Sequence, residues 1–122
     1  MKFMVVDDSQ VIRMKINQVL EGEDFEVVGT AQNGVEAVEQ FKQLMPEAIT
    51  LDITMPLMDG IETIQALMEI NPDVRILVVS ALADKATLIK AMHLGATGFL
   101  CKPFNDNDLG EAIQELIEDL VQ

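Results

Sequence analysis

An α/β fold on a parallel sheet, with helices on both faces, is what this sequence predicts, and three observations predict it. Short apolar runs alternate with helical patterns from one end of the chain to the other. The runs are nearly continuous in Val, Ile and Leu, the mark of strands covered on both faces. Turn-forming residues punctuate the junctions, without internal repeats or low-complexity linkers. Successive βα units of this kind make one layered sandwich, and right-handed crossovers distribute the helices over both faces.

The first strand is expected at Phe3–Val6 and leads into Asp7-Asp8. Ile12, Ile16, Val19 and Leu20 then fall on one helical stripe, and Gly22 stands where that helix should stop. Phe25–Val28 is the second strand. Asn33 and Glu36 form a capping-box pattern ahead of a helix carrying Ala37, Val38, Phe41 and Leu44, with Pro46 beyond it. Ala48–Leu51 is the third strand, and Ile61, Ile64, Leu67 and Met68 line the third helix, closed by Asn71-Pro72. Val74–Val79 is the fourth strand. Leu88, Ile89 and Met92 mark its helix, and Gly95 is placed to end it. Gly98–Cys101 is the last strand, and Leu109, Ile113, Leu116, Ile117 and Leu120 give a fifth helix that nearly reaches Gln122. A single domain over residues 1–122, with no output module, is the expectation.

Charge narrows the function classes. The chain carries 21 acidic against 8 basic residues, a net charge of −13, which repels nucleic acid and anionic membranes. No apolar run approaches the ~20 residues of a membrane span, and the N-terminal stretch is too short for a signal peptide. The lone Cys101 forms no internal disulfide and fits a reducing, cytoplasmic setting.

The chemistry collects at strand ends. Asp7-Asp8, Asp52, Ser80 and Lys102 each follow a predicted strand. In a doubly wound sheet, ligands bind outside the carboxyl ends of the strands, where the strand order reverses. Three carboxylates gathered there repel one another, and oxygen-only ligands favour a hard divalent cation such as Mg²⁺. A carboxylate can also attack a phosphoryl group and form an acyl phosphate. That transfer needs charge neutralised on the phosphoryl oxygens more than it needs a base. Mg²⁺, Lys102 and the Ser80 hydroxyl would share that work. A lysine beside a buried strand needs a partner, and the acidic pocket supplies one. A cis Lys102-Pro103 bond would aim it inward, although X-Pro bonds are cis in only ~5–6% of cases. Taken singly, each residue has a plainer reading: an Asp or Ser at a helix entry is usually a cap, and Pro56 and Asp59-Gly60 an ordinary turn.

Together, Asp7-Asp8, Asp52, Ser80 and Lys102-Pro103-Phe104, with Met55-Pro56-Leu57-Met58-Asp59-Gly60, resemble the receiver domain of two-component response regulators. The resemblance covers essentially the whole chain, and the form it is most similar to is the stand-alone, chemotaxis-regulator type. It implies a flavodoxin-like five-stranded parallel sheet in the order 2-1-3-4-5. It implies phosphoryl transfer from the phosphohistidine of a sensor kinase, or of a phosphotransfer domain, to Asp52. Direct Mg²⁺ ligation by Asp8, Asp52 and the Thr54 carbonyl is also implied, with Asp7 acting mainly through water and Mn²⁺ able to substitute. The family's Lys–Pro peptide is typically cis. Ser80 corresponds to the hydroxyl that moves to the phosphoryl group, and Phe99 to the aromatic that rotates inward behind it. Phe99 would otherwise be read as core. The implied readout surface for a protein target is the fourth helix, fifth strand and fifth helix of a monomer or a phosphorylation-dependent dimer.

Departures from the family pattern carry information of their own. Thr54, Ala81 and Leu82 occupy positions that tune the pocket; Leu82 offers no hydrogen bond to a hydrolytic water and Thr54 only a hydroxyl, so slow dephosphorylation is expected. No lysine or arginine follows Lys102, so a flagellar-motor partner requiring a basic residue on the fifth helix is disfavoured. His93 is expected to be solvated, Cys101 to be a small buried hydrophobe, and the 8 methionines mainly packing residues. A flavodoxin-type cofactor binder would want a Ser/Thr/Gly-rich phosphate loop where this chain has Asp7-Asp8-Ser9-Gln10. An aspartyl-phosphate phosphatase would want a second carboxylate at position 54. The remaining alternatives are a phosphate sink and a phosphorylation-independent scaffold in a phosphorelay.

Overall fold

A computed structural model describes residues 1–21, 25–53, 60–81 and 85–118, with no side-chain description at position 81. Its elements are β1 (Lys2–Val6), α1 (Gln10–Leu20), β2 (Glu26–Ala31), α2 (Gly34–Leu44), β3 (Ala48–Asp52), α3 (Gly60–Ile70), β4 (Arg75–Ala81), α4 (Lys85–His93), β5 (Gly98–Lys102) and α5 (Asp106–Ile117). The strands form one sheet in the order β2-β1-β3-β4-β5, and every pairing is parallel. The strand order therefore reverses between β1 and β3, which places the crevice at the carboxyl ends of those two strands.

Period-two alternation sorts the strand residues onto two faces. Met4, Val6, Ile49, Leu51, Ile76 and Val78 pack with Ala37 and Phe41 of α2, Ile64 and Leu67 of α3, and Ala91 of α4. Phe3, Val5, Ala48, Leu77 and Val79 pack with Ile16 and Leu20 of α1 and Leu109, Ile113, Leu116 and Ile117 of α5. Three helices thus cover one face and two the other. Central β1 and β3 are buried on both faces from Phe3 to Val6 and from Ala48 to Asp52, the geometry their unbroken apolar runs predict.

Several local expectations need correction. The second strand does not end at Val28; pairing with β1 continues through Thr30 and Ala31, after a bulge opposite Phe3 and Met4. The edge strands are not covered on both sides, and Phe99 of β5 is 52% exposed rather than core. Cys101 is likewise only partly buried. On α4 the inward stripe is Leu88 and Ala91, continuing to Leu94 beyond the helix, while Ile89 and Met92 point to solvent. A small Ala holds the contact position there, and the larger apolar residues do not mark the face. His93 is exposed, as expected.

The caps agree in part. Asn33 Oδ1 accepts the Glu36 N–H at 2.9 Å, but the Glu36 carboxylate returns to the Asn33 side-chain amide at 2.8 Å instead of to its backbone. A complete capping box lies at Asn105 and Asp108, ahead of α5. Met45 closes α2 with a left-handed φ of 43°, and Gly95 takes φ 120°, a conformation open to glycine alone at little cost. Gly22 and Leu120 lie outside the described residues.

One buried polar group stands out in the sheet. Thr50 is 0% exposed in central β3, and its hydroxyl has no hydrogen-bond partner among the described residues. Thr50→Val keeps the branched shape and removes an unsatisfied group. It is expected to raise stability by about 1 kcal/mol in urea denaturation, and an unchanged or lower midpoint would show that the hydroxyl is satisfied.

Candidate functional site

Strand alternation builds the site. Asp52 pairs opposite Val79 and Lys102 opposite Ala81, so both follow the side-chain parity of the α1/α5 face, as does Asp7 one residue beyond Val6. The sheet therefore delivers two carboxylates and an amine to one pocket from three different strands. Lys102 Nζ lies 3.2 Å from Asp7 Oδ2 and 3.3 Å from Asp52 Oδ2. Asp7 is 0% and Asp52 1% exposed. Asp8 is exposed and completes a cluster in which one oxygen from each of Asp7, Asp8 and Asp52 lies within 4.8 Å of the others.

Local bonds fix the entry to α1. The Ser9 backbone N–H donates to Asp7 Oδ1 at 2.9 Å, and the Ser9 hydroxyl caps the helix by accepting from Ile12 N–H at 3.3 Å. Arg13 Nη1 donates to the Asp7 carbonyl at 2.6 Å. Sequence reasoning passed over both Ser9 and Arg13. Ser9 carried a readable signal, a hydroxyl residue one position before a helical stripe.

Burial pushes the Asp7 carboxyl above its ordinary value; the Ser9 N–H opposes this, the negative charge of Asp52 adds to it, and Lys102 counters it. Burial pulls the Lys102 amine down, but attraction to Asp52 and then Asp7 outweighs it and holds the amine above its ordinary value. A lysine raised in this way contributes stability that is fully present below pH 10.5 and lost as pH rises through the folded value. The urea midpoint of metal-free protein is therefore expected to fall across that alkaline window more steeply than that of Lys102→Met. Equal slopes would mean that the pairing contributes nothing to folding.

The site fits a hard cation. Its donors are oxygens, three carboxylates face a single ammonium, and Asp7 Oδ2 is fully buried with no hydrogen bond among the described residues beyond its ion pair. Ser80 is 3% exposed, one residue before the end of β4. It has the opposite parity to Asp52, in register with Cys101, and so shares the α4 side of the sheet with Phe99. The Lys102-Pro103 peptide is cis. Gly60 packs on Ile53, with its N–H 3.3 Å from the Ile53 carbonyl. Thr54, Pro56 and Leu82 lie outside the described residues, and Ala81 closes β4 opposite Lys102.

Comparison with known proteins agrees with this geometry. Residues 3–114 match the response regulator receiver domain family. Over 115 residues the chain is 40% identical to the chemotaxis protein CheY of Thermotoga maritima, covering 94% of this chain and 96% of that one. Among solved structures, the response regulator domain of Thermotoga maritima CheB superposes with a TM-score of 0.88 at 33% identity, covering 100% of this chain and 97% of that one. The CheX-CheY-BeF3-Mg+2 complex from Borrelia burgdorferi gives 0.87 at 31% identity, covering 99% of this chain and 90% of that one. Sheet order, acidic strand ends and similarity over nearly the full length converge, and the chain belongs to the response regulator receiver family, in its CheY-like branch.

Proposed function

We propose that this receiver takes a phosphoryl group from the phosphohistidine of a sensor kinase or phosphotransfer domain onto Asp52, in a Mg²⁺-dependent reaction. The observation that carries the reading is the Lys102 amine set between two buried carboxylates, 3.2 and 3.3 Å away, beside the exposed Asp8. An Asp52 carboxylate oxygen attacks phosphorus, an O–P bond forms, and the N–P bond to histidine breaks with its electron pair returning to the imidazole nitrogen. Asp7, Asp8, Asp52 and the Thr54 carbonyl would hold the cation, with Asp7 acting mainly through water. Bound there, Mg²⁺ supplies neutralisation of charge on the phosphoryl oxygens. Lys102 supplies a second positive charge, and Ser80 donates its hydroxyl to the transferred group.

The output in this reading is a change on the α4-β5-α5 face. Ser80 and Phe99 share one side of the sheet, so movement of the Ser80 hydroxyl toward the phosphoryl group frees space for the exposed Phe99 ring to turn inward. Phe99 has no hydroxyl to hydrogen-bond, so its signal is the packing of an exposed ring. The protein acts as a signalling phospho-acceptor and not as a turnover enzyme.

Incubation with acetyl phosphate, with and without Mg²⁺, tests the reading by intact mass. A Mg²⁺-dependent gain of one phosphoryl group, trapped by borohydride reduction as homoserine at position 52, is expected. Absence of the adduct, together with an NMR spectrum unchanged by beryllofluoride and Mg²⁺, would leave a phosphorylation-independent scaffold as the reading. Because Thr54 and Leu82 stand, by family correspondence, at the positions two past Asp52 and two past Ser80, the adduct is expected to decay slowly once the donor is removed. A lifetime of seconds or less would overturn that expectation.

A further inference from the structure

We propose that Lys15 is a positioning residue for Lys102, holding the chain beyond β5 in place from across α1. Lys15 Nζ donates to the Phe104 carbonyl at 2.5 Å and lies 5.0 Å from the centroid of the same residue's ring. Both interactions thus seize one residue, through its backbone dipole and its π face, at a sequence separation of 89. Phe104 is 7% exposed in the core beneath α1 and α5, two residues beyond Lys102. On its other side, Asn105 is locked into the α5 capping box with Asp108. Phe104 is therefore pinned from α1 and from α5 at once. Only Pro103 separates it from the residue whose amine must sit between Asp7 and Asp52.

Helix α1 thereby fixes both ends of the ion pair. Ser9 N–H and Arg13 hold Asp7 at the end of β1, and Lys15 holds the chain just past the end of β5. The sheet alone leaves these strands three places apart, with β3 and β4 between them. A lysine side chain has several freely rotating bonds, so the placement of its amine depends on how firmly the backbone that carries it is held. The plainer reading of Lys15 is a half-buried stem covering the groove between α1 and α5. That reading predicts a loss of packing when the stem is removed. It predicts no effect on Lys102 when the stem is kept and only the amine goes.

The discriminating variants are Lys15→Met, which keeps the stem, and Lys15→Arg, which keeps a cation able to donate to the carbonyl and stack on the ring. In metal-free protein, the Lys102 ε-methylene and amine NMR signals of Lys15→Met are expected to move toward those of a free lysine, and those of Lys15→Arg to stay near the parent. The kinetic arm rests on the phosphoryl-transfer reading. With acetyl phosphate and Mg²⁺, Lys15→Met is expected to slow phosphoryl uptake about tenfold through misplacement of Lys102, with Lys15→Arg restoring most of the rate. In a Lys102→Met background the same substitution is expected to change the rate by no more than about twofold, because two residues acting through one group are not additive. Should Lys15→Met fail to fold in urea denaturation, Lys15→Leu, an apolar side chain without a donor, supplies the same readouts. Unmoved Lys102 signals in the variant without the charge, or rate losses that multiply in the double variant, would overturn the proposal. If the parent itself takes up no phosphoryl group, the functional reading fails, and the metal-free NMR comparison still decides the role of Lys15.

Discussion

Asp52→Asn is expected to abolish phosphoryl uptake and at the same time to make the metal-free protein more stable. Both effects come from one carboxylate. Asparagine keeps the shape and can still accept a hydrogen bond from Lys102, now 3.3 Å from Asp52 Oδ2, but it cannot form an acyl phosphate. In the parent, two buried carboxylates share one ammonium, and the Asp52 charge helps to raise Asp7. Removing it leaves a one-to-one pair of Asp7 and Lys102. Urea denaturation in a chelator at pH 7 is expected to show a gain of about 1 kcal/mol, within the range common for single stabilising substitutions. The pH profile carries the same sign. Because the folded state holds the Asp7 proton more tightly than the unfolded chain does, metal-free stability falls as pH rises from 3.8 through the raised value. That fall is expected to shrink in Asp52→Asn. Mg²⁺ should also stabilise the parent more than the variant, since a ligand that binds only the folded state adds stability in proportion to its affinity. A variant less stable than the parent in chelator would mean that the pocket charges are not in net repulsion.

Gly60→Ala is expected to cause a large loss of stability for the addition of a single methyl group. A Cβ at position 60 would stand 2.3 Å from Ile53 Cα and 2.5 Å from Ile53 Cβ, and backbone at that range cannot turn aside as a side-chain tip can. The expected loss is about 3 kcal/mol, at the upper end of what overpacking commonly does. Ile53 is buried and directly follows Asp52, so the displacement reaches the proposed acceptor, and phosphoryl uptake should slow about tenfold besides. Gly98→Ala is the control. Its Cβ would meet only Leu77 Cδ1, at 3.7 Å, an ordinary van der Waals contact, and the change should be small. Equal midpoints for the two variants would show that the α3 entry yields where its packing indicates that it does not.

Most of the fold could be read from the chain because its signals are local. The buried runs of β1 and β3, the inward stripes of α1, α2, α3 and α5, and the glycine stop at position 95 each depend on residues a few positions apart. The readings that failed were of another kind. Ile89 and Met92 looked inward because they are apolar, but the face α4 buries is chosen by what it packs against, and small Ala91 fits there. The last strand reads as covered on both faces from its apolar run, yet Phe99 is half exposed because β5 is an edge strand, a fact of sheet order.

For the site, the sequence by itself determined which residues stand at strand ends: Asp7, Asp8, Asp52, Ser80 and Lys102. Only the tertiary structure decided their relation. Strand parity put Asp7, Asp52 and Lys102 on one side and Ser80 with Phe99 on the other. Chain crossing brought Lys15 onto Phe104, 89 residues away. Periodicity is a property of neighbours along the chain and survives in the sequence. Distances between non-neighbouring strands arise only when the sheet closes over its core.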